Sequence, residues 1–547
     1  MLVILNILQY NTFCIMRIKL PLILCAAYTG SAIVLQAAQP NFIVILVDDV
    51  GFSDFSCFGS EISTPNIDQL ATQGIRFTQM YNGARSCPTR ASLLTGLYPH
   101  QTGVGHMSTN TYFETGGEAY QGYLNNKCVT FAEVLRDHGY FTAFAGKWHL
   151  GGQTKAHTRG FSESISGSEG GFYFPENMGT KVLINGVTVN RDDSRLPINW
   201  YSTDLWTDFA IKYVNQSITL EKPFAIYLAH NAAHFPLQAP QEDIDKWRGK
   251  FKKGWDVLRM ERYKRQMEMN LFGKTFPLTP RNPKIPLWSS LSQEQQDKSD
   301  HIMAIYAAVI DRLDQNIGRL VDELKAKGVY DNTFIILLSD NGGNAEGGTL
   351  GKYTGTNPGD HASDIWIGHA WAEQTNTPFF LYKHHKHEGG IATSCVVSYP
   401  EGIPDHLKGS ITQKPAHVID IMPTLLELSG ATYPATYKGN PISPFEGVSM
   451  IPIITGNPVE RGKPIFWEHE NNYALREGDW KLVKERAEPD WQLFNLDKDR
   501  TEMQDVSGCN PEIKSSMLQK LNEIKNRIGA KELNFPNDNW MFPTYKY

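Results

Sequence analysis

No two cysteines in this chain are spaced to hold a metal. The 547 residues contain seven: Cys14, Cys25, Cys57, Cys87, Cys128, Cys395 and Cys509. Five remain once the N-terminal leader is set aside, an odd number at wide spacing. That leaves room for a single disulfide but not for a disulfide framework or a cysteine-ligated zinc. Basic surplus is lacking as well. Lys plus Arg number 52 against 58 Asp plus Glu, a formal net charge of −6. No strongly basic domain stands out, which argues against nucleic acid as a partner. Past the leader no apolar run approaches membrane-spanning length, and there are no internal repeats or low-complexity tracts. What remains is an ordinary globular composition, in a chain long enough for two or three packed units.

The leader itself has a basic segment, Met16-Arg17-Ile18-Lys19, then a largely apolar run from Leu20 to Leu35, then the small residues Ala37-Ala38. This is the pattern of a secretory signal peptide over residues 1–38, with Met16 as an alternative start. It implies export to the periplasm or beyond, and no membrane span after removal. An uncleaved anchor is the rival reading.

Asn41 to Val47 is a continuous apolar, β-branched run, the mark of a strand buried on both faces of a parallel sheet. It ends in Asp48-Asp49. Further strands are expected at Ile75-Arg76-Phe77, at Tyr140 to Ala145, at Pro223 to Ala229 and at Thr333 to Leu338. Helices are expected from Pro65 with Gly74 as stop, from Val129 to His138, and from Gln293 through Lys327. Alternating strands and helices predict an α/β catalytic domain, residues 39–440, with a central, mostly parallel sheet. The short strands and final helix beyond it predict a smaller C-terminal α+β subdomain with an antiparallel sheet, residues 441–547. Residues 150–201 and 241–290 read as long surface excursions.

Polar residues collect just past the strand ends: Asp48, Asp49, Lys147, His149, His234, Asp340 and Asn341. Ligands of open α/β sheets bind beyond the carboxyl ends of strands. Three carboxylates and an amide are hard oxygen donors suited to one Ca²⁺, or Mg²⁺. Ser86-Cys87-Pro88-Thr89-Arg90 opens a helix that Gly96 closes. Ser86 then sits at or before a helix N-terminus, where backbone N–H groups favour an anion.

This pentapeptide resembles the signature of the formylglycine-dependent (type I) sulfatases: Ser or Cys, then Pro two residues on and Arg four on. That register selects Ser86 as the modified residue and not Cys87. The resemblance extends from Asn41 to about Phe494, through Gly146-Lys147-Trp148-His149, His234 to Pro240, and Lys383 six residues before Gly389. It implies an alkaline-phosphatase-like fold with the arylsulfatases as near kin. It makes Ser86, Arg90, Lys147, His149, His234 and Lys383 the catalytic set, with Asp340 activating the attacking hydroxyl. It also makes Asp48, Asp49, Ser86, Asp340 and Asn341 the ligands of a single calcium. The serine form implies a radical, iron–sulfur maturation enzyme that oxidises Ser86 to formylglycine.

For substrate, the segment between Asn341 and Lys383 has both ends on the rim and carries Tyr353, His361, Trp366, His369 and Trp371, with His385 just beyond. Trp366 and His385, beside Lys147, His234 and Lys383, are the candidate substrate contacts. The expected substrate is an exo-cleaved sulfated carbohydrate, such as galactose sulfate of mucin-type glycans. A small aryl sulfate, a phosphoester or phosphonate, or a purely glycan-binding role are the alternatives.

Overall fold

The computed structural model describes residues 39–167, 172–178, 181–458 and 460–535. The leader therefore lies outside the described residues. Among those residues no helix is long and apolar enough to cross a membrane, and Cys57, Cys87, Cys128, Cys395 and Cys509 are all unbridged.

An 11-stranded sheet organises the chain. Its members are β1 (Asn41–Val47), β2 (Gly74–Tyr81), β3 (Phe141–Lys147), β4 (Glu163–Gly167), β5 (Val182–Ile184), β6 (Val187–Val189), β7 (Phe224–Ala229), β8 (Thr333–Ser339), β11 (Ala392–Ser398), β12 (Ser410–Thr412) and β13 (Ala416–His417). Between β8 and β11 the chain makes a small hairpin, β9 (Lys352–Thr354) with β10 (Asp364–Trp366). The sheet order is β12-β2-β11-β8-β1-β7-β3-β4-β5-β6, with β13 also on β2. The centre, β8-β1-β7-β3-β4, is parallel throughout.

β1 shows why the apolar run is unbroken. Ile43, Ile45 and Val47 point into one hydrophobic core and Phe42, Val44 and Leu46 into a second, on opposite faces of the sheet. Successive side chains alternate faces, so a strand covered on both sides needs apolar residues at every position. The first core is closed by the 34-residue helix Gln293–Ala326. A reciprocal cap starts that helix: Gln295 N donates to Ser292 Oγ at 3.2 Å, and Ser292 N donates to Gln295 Oε1 at 2.9 Å.

β11 departs from the simple alternating pattern. It runs antiparallel to both β2 and β8, so its entry lies at the same rim as the exits of β1, β2, β3, β7 and β8. Two other expectations are corrected. Gly74 does not stop a helix but opens β2, where a Cβ would meet Val397 O at 2.2 Å. Residues 241–290 are not a bare excursion, since they contain the helices Gln241–Trp247 and Gly254–Glu268.

After a short hairpin, β14 (Thr436–Tyr437) with β15 (Asn440–Pro441), a four-stranded antiparallel sheet follows. It is built from β16 (Ile465–His469), β17 (Asn472–Glu477), β18 (Trp480–Lys484) and β19 (Gln492–Asn495), and the helix Pro511–Ile528 covers it. Phe466, Leu475, Leu482, Leu493, Met517 and Leu521 form its core, and Tyr98 and Ile419 enter the same core from the larger sheet's side.

Candidate active site

Ser86 is the first residue of the helix Ser86–Thr95, which ends at Gly96 with φ 69°. Arg85 occupies the cap position without a side-chain cap bond, so Ser86 Oγ is not used for capping. It instead takes a hydrogen bond from Arg90 Nε at 2.9 Å and lies 3.0 Å from His149 Nδ1. Cys87 is buried in the second core, its sulfur accepting from Ser108 N at 3.4 Å. Arg90, one turn into the helix, ties four segments together. Its Nη1 donates to Lys147 O at 2.7 Å, and its Nη2 lies 3.0 Å from both Asp48 Oδ2 and Asp340 Oδ2.

Asp48 Oδ2 also pairs with Lys147 Nζ at 2.7 Å. Asp49 receives Lys383 Nζ at 2.9 Å, Asn341 Nδ2 at 2.7 Å and Asn344 Nδ2 at 2.7 Å, and faces His234 Nε2 at 3.7 Å. Strain marks the rim: Asp49, His149 and His384 all have positive φ, at 59°, 54° and 81°, a conformation side-chain-bearing residues adopt at a cost. Gly146 makes the turn into Lys147 with φ 124°, where a Cβ would sit 1.9 Å from Ala229 O.

Charge is finely opposed here. Burial alone would raise the Asp48 carboxyl, but Lys147, His234 and Arg90 outweigh it and hold the group far below its ordinary range. Asp340 goes the other way, pushed up to about 6 by burial and by the neighbouring Asp48. Burial, then Lys147, lowers both His149 and His234. Lys383 stays raised despite burial because Asp49 and Glu346 face it. Two oxygens, Asp48 Oδ1 and Asn341 Oδ1, are buried without a hydrogen-bond partner. Such orphaned acceptors beside further carboxylates fit a hard divalent cation, which Asp48, Asp49, Asp340 and Asn341 would hold.

Six of the expected catalytic residues and four of the expected metal ligands therefore share one pocket. Asp340 Oδ2 contacts Arg90 at 3.0 Å, and its activation of the attacking hydroxyl belongs to the proposed mechanism. Trp366 joins the site through Phe235: the two rings stack at 3.5 Å, and Phe235 stacks on His234 at 4.2 Å. His385 is buried with Nδ1 3.5 Å from Glu485 Oε2. Trp371 does not line a mouth. It is 0% exposed and packs against Trp255, Trp288 and Phe251 in the core. His369 is likewise buried, beside Tyr382, and Tyr353 bonds His301. The sequence reading missed Asn344 and Glu346, which support Asp49, Lys383 and His384. The only cue was their position three and five residues past Asn341.

Compared with known proteins, residues 40–431 match the family model Sulfatase. The chain belongs to the sulfatase family. Residues 379–527 of this sulfatase also match a model described as N-sulphoglucosamine sulphohydrolase, C-terminal. It is 35% identical over 522 residues to an uncharacterized sulfatase of Schizosaccharomyces pombe, covering 88% of this chain and 93% of the relative. An arylsulfatase of Klebsiella aerogenes is 35% identical over 444 residues, covering 77% and 93%. Among solved structures, Ps i-CgsB in complex with k-i-k-neocarrahexaose superposes with a TM-score of 0.65 at 26% identity, covering 90% of this chain and 94% of that one. The sulfatase hydrolyses a sulfate ester.

Proposed function

We propose that this sulfatase is an exported, calcium-dependent carbohydrate sulfatase acting through formylglycine made from Ser86. The observation that carries the reading is Ser86 Oγ, held at a helix N-terminus between Arg90 Nε at 2.9 Å and His149 Nδ1 at 3.0 Å. Oxidised to formylglycine, this position supplies a hydrated aldehyde, a nucleophile with a second hydroxyl available for release of sulfate. The serine form calls for a radical-type maturation enzyme.

The chain's own side chains do the rest. Lys147, Lys383 and Arg90 surround the sulfate and stabilise negative charge where it develops. They are already positioned by Asp48, Asp49 and Asp340, so little reorganisation is needed. Calcium would add Lewis-acid polarisation of a sulfate oxygen. His234 donates Nδ1–H to Phe235 O at 2.6 Å, which aims Nε2 into the pocket as the proton donor to the departing alcohol. Burial and Lys147 lower its pKa, so the proton is given from the imidazolium form, which releases its Nε2–H readily to the departing alkoxide. His149, kept neutral by burial and by Lys147, takes the proton from the hydroxyl next to it.

The stacked Phe235–Trp366 pair beside His234 is a flat apolar wall at the leaving-group side. It suits the face of a sugar ring, and the neocarrahexaose of the structural relative agrees with it. A planar aryl sulfate fits the same wall, and the Klebsiella aerogenes relative favours that second reading. The test is kcat/KM for sulfate release from sulfated monosaccharides and from nitrophenyl sulfate, beside phosphate release from matched esters, repeated for Trp366→Ala. Sugar sulfates weakened by Trp366→Ala support the proposal. An aryl ester preferred by orders of magnitude and unaffected sugars refute the carbohydrate reading.

A further inference from the structure

A second group of buried ligands lies where the loop after the helix Pro99–Thr102 meets the tip of the β16–β17 hairpin. His106 Nε2 is 3.0 Å from Glu470 Oε1, and His469 Nε2 is 3.5 Å from the same oxygen. All three ligand atoms lie within 4.8 Å of one another, and all three residues are buried. Ligands about 2.0–2.1 Å from a tetrahedral ion stand roughly 3.4 Å apart, and the two histidine-to-carboxylate separations of 3.0 and 3.5 Å bracket that value.

Three features set the group apart from an ordinary buried ion pair. First, His469 Nδ1 and His106 Nδ1 are buried without a hydrogen-bond partner, and His469 is 0% exposed. Buried polar atoms are paired as a rule. Second, the rings are pinned. His106 stacks on His469 at 5.0 Å and on Phe535 at 5.0 Å. Third, the carboxylate is delivered by a strained turn. His469 pairs with Asn472, and the two residues between them, Glu470 and Asn471, have φ of 54° and 61°. That is the two-residue turn for which Asn or Gly is favoured at the first position. A glutamate there carries backbone strain. Asn471 fixes the tip by donating to Leu533 O at 2.8 Å.

The geometry points to a second metal site, in which His106, His469 and Glu470 bind a zinc-type ion with water in the fourth position. Two imidazole nitrogens and one carboxylate oxygen are zinc donors, unlike the all-oxygen set of the catalytic pocket. The ion clamps a loop of the large sheet's side to the C-terminal hairpin, so its readout is stability, independent of catalysis.

The test uses the full-length chain purified without chelator. Elemental analysis is expected to find one zinc, cobalt substitution to give the visible absorption of a tetrahedral site, and added zinc to raise Tm. His106→Gln and His469→Gln are each expected to weaken zinc binding at least about tenfold with unchanged far-UV circular dichroism. Glu470→Gln, the most conservative in shape, serves if either histidine variant fails to fold. A Cys509→Ser variant controls for the exposed thiol. Wild-type protein that takes up neither zinc nor cobalt contains an ion pair only, and the proposal fails. Zinc that survives all three ligand substitutions, or that leaves on Asp48→Asn or Cys509→Ser, overturns it equally.

Discussion

Replacing Ser86 or its neighbour by alanine separates the two residues most easily confused. Ser86 Oγ is the atom that Arg90 and His149 both address, at 2.9 and 3.0 Å. Ser86→Ala deletes the only oxygen at the helix start that could become an aldehyde. Loss of a covalent nucleophile lowers kcat/KM by at least about 10⁴-fold, or ~5.4 kcal/mol of transition-state stabilisation. Folding should be little changed, since Ser86 Oγ caps nothing. Cys87 presents the opposite case. Its side chain lies in the core, and it accepts from Ser108 N at 3.4 Å. Cys87→Ala leaves a small void and an unpaired N–H, about 1–2 kcal/mol of stability. It should change kcat/KM by less than about threefold, under ~0.7 kcal/mol. The assay is hydrolysis of nitrophenyl sulfate by each variant co-produced with a serine-type maturation enzyme, beside urea unfolding. Mass spectrometry of the peptide containing Ser86 should show the loss of two hydrogens in wild type and Cys87→Ala only. Activity retained in Ser86→Ala and lost in Cys87→Ala would refute the register.

Arg90→Met leaves Asp48 and Asp340 facing each other without their shared guanidinium. Removing one partner from a buried ionic cluster costs about 3–5 kcal/mol, so wild-type urea stability in calcium-free buffer would contradict the electrostatic account. His234→Asn should harm sugar sulfates more than nitrophenyl sulfate by about 10²-fold or more, because a nitrophenolate departs without a proton and an alkoxide does not. Equal losses on both would remove His234 from the leaving-group side. His230 is buried with neither ring nitrogen paired, and burial lowers it from 6.5 to about 3. Its folded value is depressed, so its contribution is full above pH 6.5 and is lost as the pH falls toward 3, at most about 4–5 kcal/mol. His230→Gln should flatten the acid limb of the stability profile, and an unchanged limb would count against it.

The parallel centre of the sheet was legible because burial on both faces forces uninterrupted apolar runs. β1, β3, β7 and β8 all lie where those runs fall, and the residues just past them meet at one rim. The convergence of Ser86, Arg90, Lys147, His149, His234 and Lys383 on that rim was legible through motif spacing. The direction of β11 was not, because strand pairing over long sequence separation leaves no local periodicity. Nor were Asn344 and Glu346, whose roles exist only through Asp49, Lys383 and His384. Trp371 misled because a tryptophan between two rim residues reads the same whether it faces solvent or inserts among Trp255, Trp288 and Phe251. Glu470 and His469 gave no cue at all, since their partner His106 lies more than 360 residues earlier in the chain.

The segment carrying Lys383 is tied down by acids made very late. Glu485 accepts from Lys386 N at 2.6 Å, Glu502 accepts from Glu388 N at 2.6 Å, and Lys481 bridges Glu388 and Glu502 at 2.8 Å each. During synthesis the ribosome releases Ser86 hundreds of residues before these clasps exist. A nascent chain therefore passes through a long interval in which the serine is reachable but the sulfate grip is unfinished. In the closed fold Ser86 is only 3% exposed, which would deny access to the maturation enzyme of the proposed route. On the proposed formylglycine route, timing rather than affinity would then set the yield of oxidised Ser86. Slowing translation between the codons for Ser86 and Glu485 should raise the fraction oxidised, and fast overproduction should leave folded serine protein.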